Sequence, residues 1–228
     1  ALLMAAAVRL IPELAAQTER QIILDTGLAG ISVLALVVTV FISTGLVNKE
    51  LEKRTVYILV AKPLSRAELI IGKHIGLSAV LAVLVGAMTV IYFAILSFSK
   101  ISYPLGSIAI TAVFLFFEFS LLTAVGIAFG VFTSSLLATL LTFGVYLMGN
   151  LSRDLVNLGK LTENVGIENF MKALYVVLPD LARLDFKNDA IYGQIPPAGT
   201  LAGNALYALL YVVVLLAIAI GVFSRREF

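Results

Sequence analysis

The chain has 228 residues, of which 61% are hydrophobic and 13% charged, with a mean hydropathy of +1.05. An ordinary soluble domain carries about 45–50% apolar and about 25% charged residues, so this chain holds more apolar surface than it can bury within itself. That excludes a water-soluble enzyme, a nucleic-acid binder and a disordered tail, and it predicts a single all-α helical bundle in a bilayer. The absence of cysteine removes disulfides, thiolate nucleophiles and cysteine metal sites, and His74 as the one histidine leaves no multi-histidine metal site. With a net charge of only +2, what matters is where the charges lie.

Residues 1–10 are apolar but too short to cross a membrane. They lack the basic start and small-residue cleavage site of a signal peptide, and they are expected to be the outer end of a partial first span. A crossing helix needs roughly 20 mainly apolar residues. The 23 uncharged residues between Asp25 and Lys49, and the 25 between His74 and Lys100, predict spans over about 26–47 and 75–98. From Ile101 to Ser152 only Glu118 is charged. That stretch is too long for one crossing, so it predicts a hairpin of spans 107–132 and 135–151 with its turn at Thr133-Ser134-Ser135. Pro196-Pro197 cuts the last apolar run and leaves a span over 200–223. The expected layout is a polytopic helical bundle of six-span type, with five complete spans and a partial first one.

Lysine and arginine in short flanks set orientation. Segment 48–74 carries Lys49, Lys53, Arg54, Lys62, Arg66 and Lys73 against three glutamates, whereas the turn near Lys100 has that cation alone. The elbow 48–74 is therefore expected in the cytoplasm, and alternation then puts Arg225-Arg226 and the C-terminus there too. Segment 152–199 falls outside. Within it Ile167, Phe170, Met171, Leu174, Tyr175 and Leu178 share one helical face, with Glu168, Asn169 and Lys172 on the other. Such a helix is expected to lie in the outer interface or to dip into the bundle.

Within the elbow, residues 48–59 contain no helix breaker, and Lys62-Pro63 ends that helix. Ser65 with Glu68 fits a capping box, so a new helix begins near Arg66. Run to Phe98, it is about 50 Å long at 1.5 Å per residue, longer than the hydrocarbon core, so its first turns stand in water. The elbow reads either as a topology anchor on anionic lipid heads or as a docking surface for a cytoplasmic partner.

The run KELEKRTVYILVAKPLSRAELIIGKHIG resembles the signature loop of type-two ABC exporter permeases, and the resemblance extends to the six-span layout and to Leu178-Pro179-Asp180-Leu181 before the last span. It implies an ABC exporter permease subunit whose elbow couples to cytoplasmic ABC ATPase subunits. Carried over residue by residue, it places Glu50, Glu52, Arg54 and Thr55 in a first contact helix. Lys62, Pro63, Ser65 and Arg66 form the turn, and Gly72 and Lys73 the root of the third span. It further implies a second permease subunit, the same or a relative, a prokaryotic plasma membrane, and a gating role for the outer segment, which otherwise reads as a membrane-surface cover.

No G-x-x-x-x-G-K-(S/T) loop, HExxH motif or G-x-S-x-G elbow occurs in the chain. The chain is thus expected to be no enzyme and to carry no cofactor, with ATP and Mg held by the partner ATPase. Glu118 is the one charge deep inside a predicted span, so it must pair, protonate or face the interior. It reads either as a proton relay or substrate contact, which marks Glu118 and Asn150 as a candidate translocation path, or as an interhelical hydrogen-bond partner of Ser120, Thr123, Thr142 or Asn150. A proton-coupled carrier or channel using Glu118 is the alternative function. Small residues at Gly72/Gly76, Ala82/Gly86 and Gly126/Gly130 allow close helix approach, within the subunit or across a dimer.

Overall fold

A computed structural model describes the backbone of residues 2–52, 65–151 and 165–225, and the side chains of 18–45, 65–151 and 165–225. Glu50 and Glu52 are placed by backbone alone. Arg54, Thr55, Lys62 and Pro63 lie outside the described residues.

Among the described residues the secondary structure is all helical. In chain order the helices are α1 (Leu2–Glu52), α2 (Arg66–Phe98), α3 (Leu105–Phe132), α4 (Ser135–Asn150), α5 (Val165–Val177), a 3-10 turn (Leu181–Arg183), α6 (Lys187–Tyr192) and α7 (Ala198–Arg225). The start of α2 and the end of α7 meet at one end of the bundle, called here the elbow end, and the α2–α3 turn and the segment 181–197 lie at the opposite, loop end.

α1 differs from expectation. Residues 1–10 are expected to be a partial first span distinct from the span over about 26–47, but one helix runs unbroken from Leu2 to Glu52. Glu13 to Arg20 is built mainly of good helix formers, no glycine precedes Gly27, and Pro12 alone does not end the helix.

Among the described residues four helices are long and apolar enough to cross a membrane: Thr18–Gly45 within α1, then α2, α3 and α7. α4 is a shorter apolar helix of 16 residues, about 24 Å long at 1.5 Å per residue. The turn at Thr133-Ser134 falls where expected. From it α4 climbs beside α3 only to mid-height, because Asn150 at its end meets Glu118 at the midpoint of α3.

α3 is the centre of the bundle and packs on α1, α2, α4, α6 and α7. One core cluster joins its Phe114, Leu121 and Val125 to Ile70 of α2, to Leu181, Leu184 and Phe186, and to Ala208, Leu216 and Phe223 of α7. The other joins Leu115, Phe119 and Leu122 to Leu24, Leu28 and Ile31 of α1, to Leu81 and Tyr92 of α2, and to Ile191 of α6. On α1 the buried Leu24, Leu28, Ile31, Ala35, Thr39 and Ser43 recur at three- and four-residue spacing, one face of a helix. The opposite faces are equally apolar, with Phe41, Val83, Val90 and Val213 exposed. A helix hydrophobic all round is one that meets lipid as well as protein.

The small residues divide. Gly126 lies so close to Ser43 that a Cβ would collide with its side chain, and this brings α1 against α3. Gly72, Gly76 and Gly86 have open space where a side chain would be, so they do not mediate packing inside this subunit.

Candidate functional site

The elbow root is built by the local sequence. Ser65 is extended (φ −68°, ψ 150°) and caps α2. The Glu68 amide donates to Ser65 Oγ at 3.2 Å and the Ser65 amide donates to Glu68 Oε2 at 2.7 Å, so both halves of the capping box are made. Arg66, one residue on, turns to the end of α7, where its Nη1 donates to the carbonyls of Phe223 at 3.1 Å and Ser224 at 2.8 Å. Ile70, one turn further, is buried at 1% exposure. Gly72 and Lys73 follow on the same helix, and His74 Nε2 meets the Ser120 carbonyl at 3.0 Å. Ser65, Arg66, Gly72 and Lys73 therefore belong to one short, capped root.

Mid-bundle, Glu118 is fully buried. Of the four partners the sequence offered, Asn150 is the one it meets: Asn150 Nδ2 donates to Glu118 Oε1 at 3.4 Å and to its own Tyr146 carbonyl at 3.0 Å. Glu118 Oε2 has no hydrogen-bond partner among the described residues. The balance is electrostatic and comes from the loop-end segment. Lys187, at the start of α6, pairs with Asp185 at 3.2 Å and reaches Ser32 Oγ of α1 at 3.5 Å. Burial works against the Lys187 charge, yet the carboxyl groups of Asp185 and Glu118 outweigh it and hold the ammonium above its ordinary value.

Lys187 can reach this deep because segment 178–192 folds back into the bundle. Leu181, Leu184, Phe186, Ala190 and Ile191 are buried. Thr111 Oγ1 donates to the Phe186 carbonyl at 3.0 Å, and the Phe114 and Phe186 rings meet edge to face at 4.6 Å. The entry is fastened to α7: the Asp180 amide donates to Tyr207 Oη at 2.8 Å, Asn204 Nδ2 to the Arg183 carbonyl at 2.8 Å, and Tyr211 Oη to the Val177 carbonyl at 2.8 Å. Arg183 bonds Asp180 at 3.0 Å and lies over the Tyr207 ring at 5.2 Å. A hydrogen bond with Tyr175 and the pair with Asp180 raise the Arg183 guanidinium above its ordinary value. Gly193, at φ 69°, closes α6 beside Pro104.

The amphipathic helix expected near 167–178 is present as α5, but none of its residues is buried. The part of the outer segment that dips inward is 178–192. Lys187, Asp185, Ser32 and Tyr146 were not singled out from the sequence. Their one signal was a cation within LARLDFKNDAIY, a stretch with apolar residues at Leu181, Leu184, Phe186 and Ile191. Among the described residues no three His, Asp or Glu side chains converge to hold a metal.

Among the described residues, four membrane-length helices, with α3 central among them, a shorter apolar helix and an inward-folded segment define a polytopic integral membrane protein. Over residues 4–228 the sequence matches the family model described as ABC-2 family transporter protein, and the chain belongs to that family. It is thus a multi-pass membrane permease component of an ABC transporter, and the family implies partnership with ATP-binding subunits. No curated protein matches the sequence.

Proposed function

We propose that the chain is the path-forming subunit of an exporter, driven by separate cytoplasmic ATPase subunits that bind ATP and Mg and dock on the elbow 48–74. The elbow end, with the C-terminus, is the cytoplasmic end, and two permeases enclose the path. The observation that carries this reading is α2 itself. It is one continuous helix whose capped foot stands at the elbow and whose body is packed on α1, α3 and α7. A push on its foot is therefore delivered to the bundle as a rigid displacement, which gives two sites the physical connection that coupling requires.

On this reading Glu50, Glu52, Arg54 and Thr55 contact the ATPase, Lys62 and Pro63 shape the turn, and Ser65, Gly72 and Lys73 form the lever's root. Segment 178–192 covers the loop end, and its Lys187 answers the Glu118 charge. Glu118 then acts as a buried anchor for that cover, and transport does not require it to carry a proton.

Affinity isolation of the tagged protein from its native membrane tests the docking. A co-purifying chain with a phosphate-binding loop, lost on charge reversal in Glu52→Lys or Arg54→Glu while the spans stay folded, is the expected result. Isolation without any ATPase, together with pH-gradient-driven flux abolished in Glu118→Gln, would establish the carrier instead.

A further inference from the structure

We propose that Arg66 is a positioning residue that ties the foot of α2 to the end of α7, so that displacement of the elbow moves both helices together. This deepens the proposed function and rests on segment 48–74 being where the drive is applied.

Arg66 is the first residue of α2. A cation there sits at the positive end of its own helix dipole, where it is unfavourable. Glu68 supplies the charge that this terminus favours. The guanidinium reaches instead to the opposite pole of another helix. Two carbonyls in the last described turn of α7, those of Phe223 and Ser224, each accept a hydrogen from the single nitrogen Nη1. Positive charge at a helix C-terminus is stabilising, and the bonds join residues 157 and 158 positions apart in the chain.

Packing reinforces the tie at the same level. Ile70 and Phe223, at 1% and 2% exposure, belong to the same buried cluster. Further into the bundle α2 and α7 part around a cavity of about 180 Å³, lined by His74, Ile75 and Ser78 on one side and Ala208, Leu209 and Val212 on the other. The two helices are thus held at their feet and separated above. A link at that point decides whether α7 follows α2.

The chain has no native cysteine, and Gly76 and Gly221 both face open space. Spin labels on Gly76→Cys and Gly221→Cys therefore report the α2–α7 separation in the full-length protein in lipid nanodiscs. With Arg66 the distance distribution is expected to be narrow. Arg66→Ala should broaden it and raise amide exchange of 219–225 by about three- to tenfold, the range for loss of a charged cap. Arg66→Lys, which keeps the charge but not the planar fork, should fall between. If Arg66→Ala does not accumulate as folded protein, Arg66→Lys alone decides: a smaller rise confined to 219–225 supports the tie. Unchanged distances and exchange in the folded variants overturn it, as does loss of ATPase capture in Arg66→Ala with 219–225 unaffected, which would make Arg66 a contact residue. The distance and exchange measurements use the permease alone, so failure of the wild type to capture any ATPase would remove the docking reading without bearing on the tie.

Discussion

Glu118 and Lys187 show how one buried charge organises its surroundings. A carboxylate at the middle of a spanning helix is expensive, and here Asn150 from α4 donates to it while Lys187, paired with Asp185, acts on it through its field. Lys187 also has Asp185, so the two variants are not equivalent. Glu118→Gln leaves Lys187 its Asp185 partner and should lower stability by about 1–3 kcal/mol. Lys187→Met removes the cation from both Asp185 and Glu118 and should lower stability by more than Glu118→Gln does. The double variant should recover part of that loss, and thermal unfolding in detergent measures all three. Strictly additive losses would show that the two charges do not interact. The pH dependence has a definite sign. A lysine held above its ordinary value stabilises fully below that ordinary value and loses the contribution as the pH rises through the raised one. The Lys187 contribution to protection of 181–192, corrected for intrinsic rate, should therefore be lost only in strongly alkaline solution. At Gly126 the constraint is steric. Gly126→Ala should cost about 1–3 kcal/mol as α1 is pushed from α3, and adding Ser43→Gly should restore part of it.

At the scale of elements, the sequence was most legible where a local rule suffices. Ser65 and Glu68 announce a capping box, Thr133-Ser134 a hairpin turn and Pro196-Pro197 a stop, and α2, α4 and α7 begin accordingly. Ser65→Ala should weaken the first turn of α2 by about 1 kcal/mol, seen as faster exchange of residues 66–70 with the spans unaffected. What was not legible depends on contacts between distant segments. A charge-free length sets the number of apolar residues but not the level at which they meet a partner, as Asn150 at the end of α4 meets Glu118. The placement of Lys187 and Asp185 depends on the anchoring of segment 178–192 by Tyr207, Asn204 and Phe114. Nearer the N-terminus, residues 1–10 read as a partial span distinct from that over 26–47, although the residues between favour helix and α1 runs through them.

For the whole molecule, the scarcity of charge identified the solvent, and its concentration in 48–74 located the surface where a partner is expected to push. Only the root of that surface, from Ser65 onward, has its side chains among the described residues, and there it is rigid by construction: capped at Ser65, buried at Ile70 and joined through Arg66 to α7. α3 is the wall shared by α2, α7 and segment 181–186, which one packed core joins. The central claim is that this permease receives its drive through the elbow. Isolation of the wild type and of Glu52→Lys from native membranes, with quantification of the bound phosphate-loop ATPase, tests it most directly. The expected result is capture by the wild type and at least a tenfold loss in the variant, about 1.4 kcal/mol of binding, with both proteins equally folded. Equal capture by the two would contradict docking at the elbow.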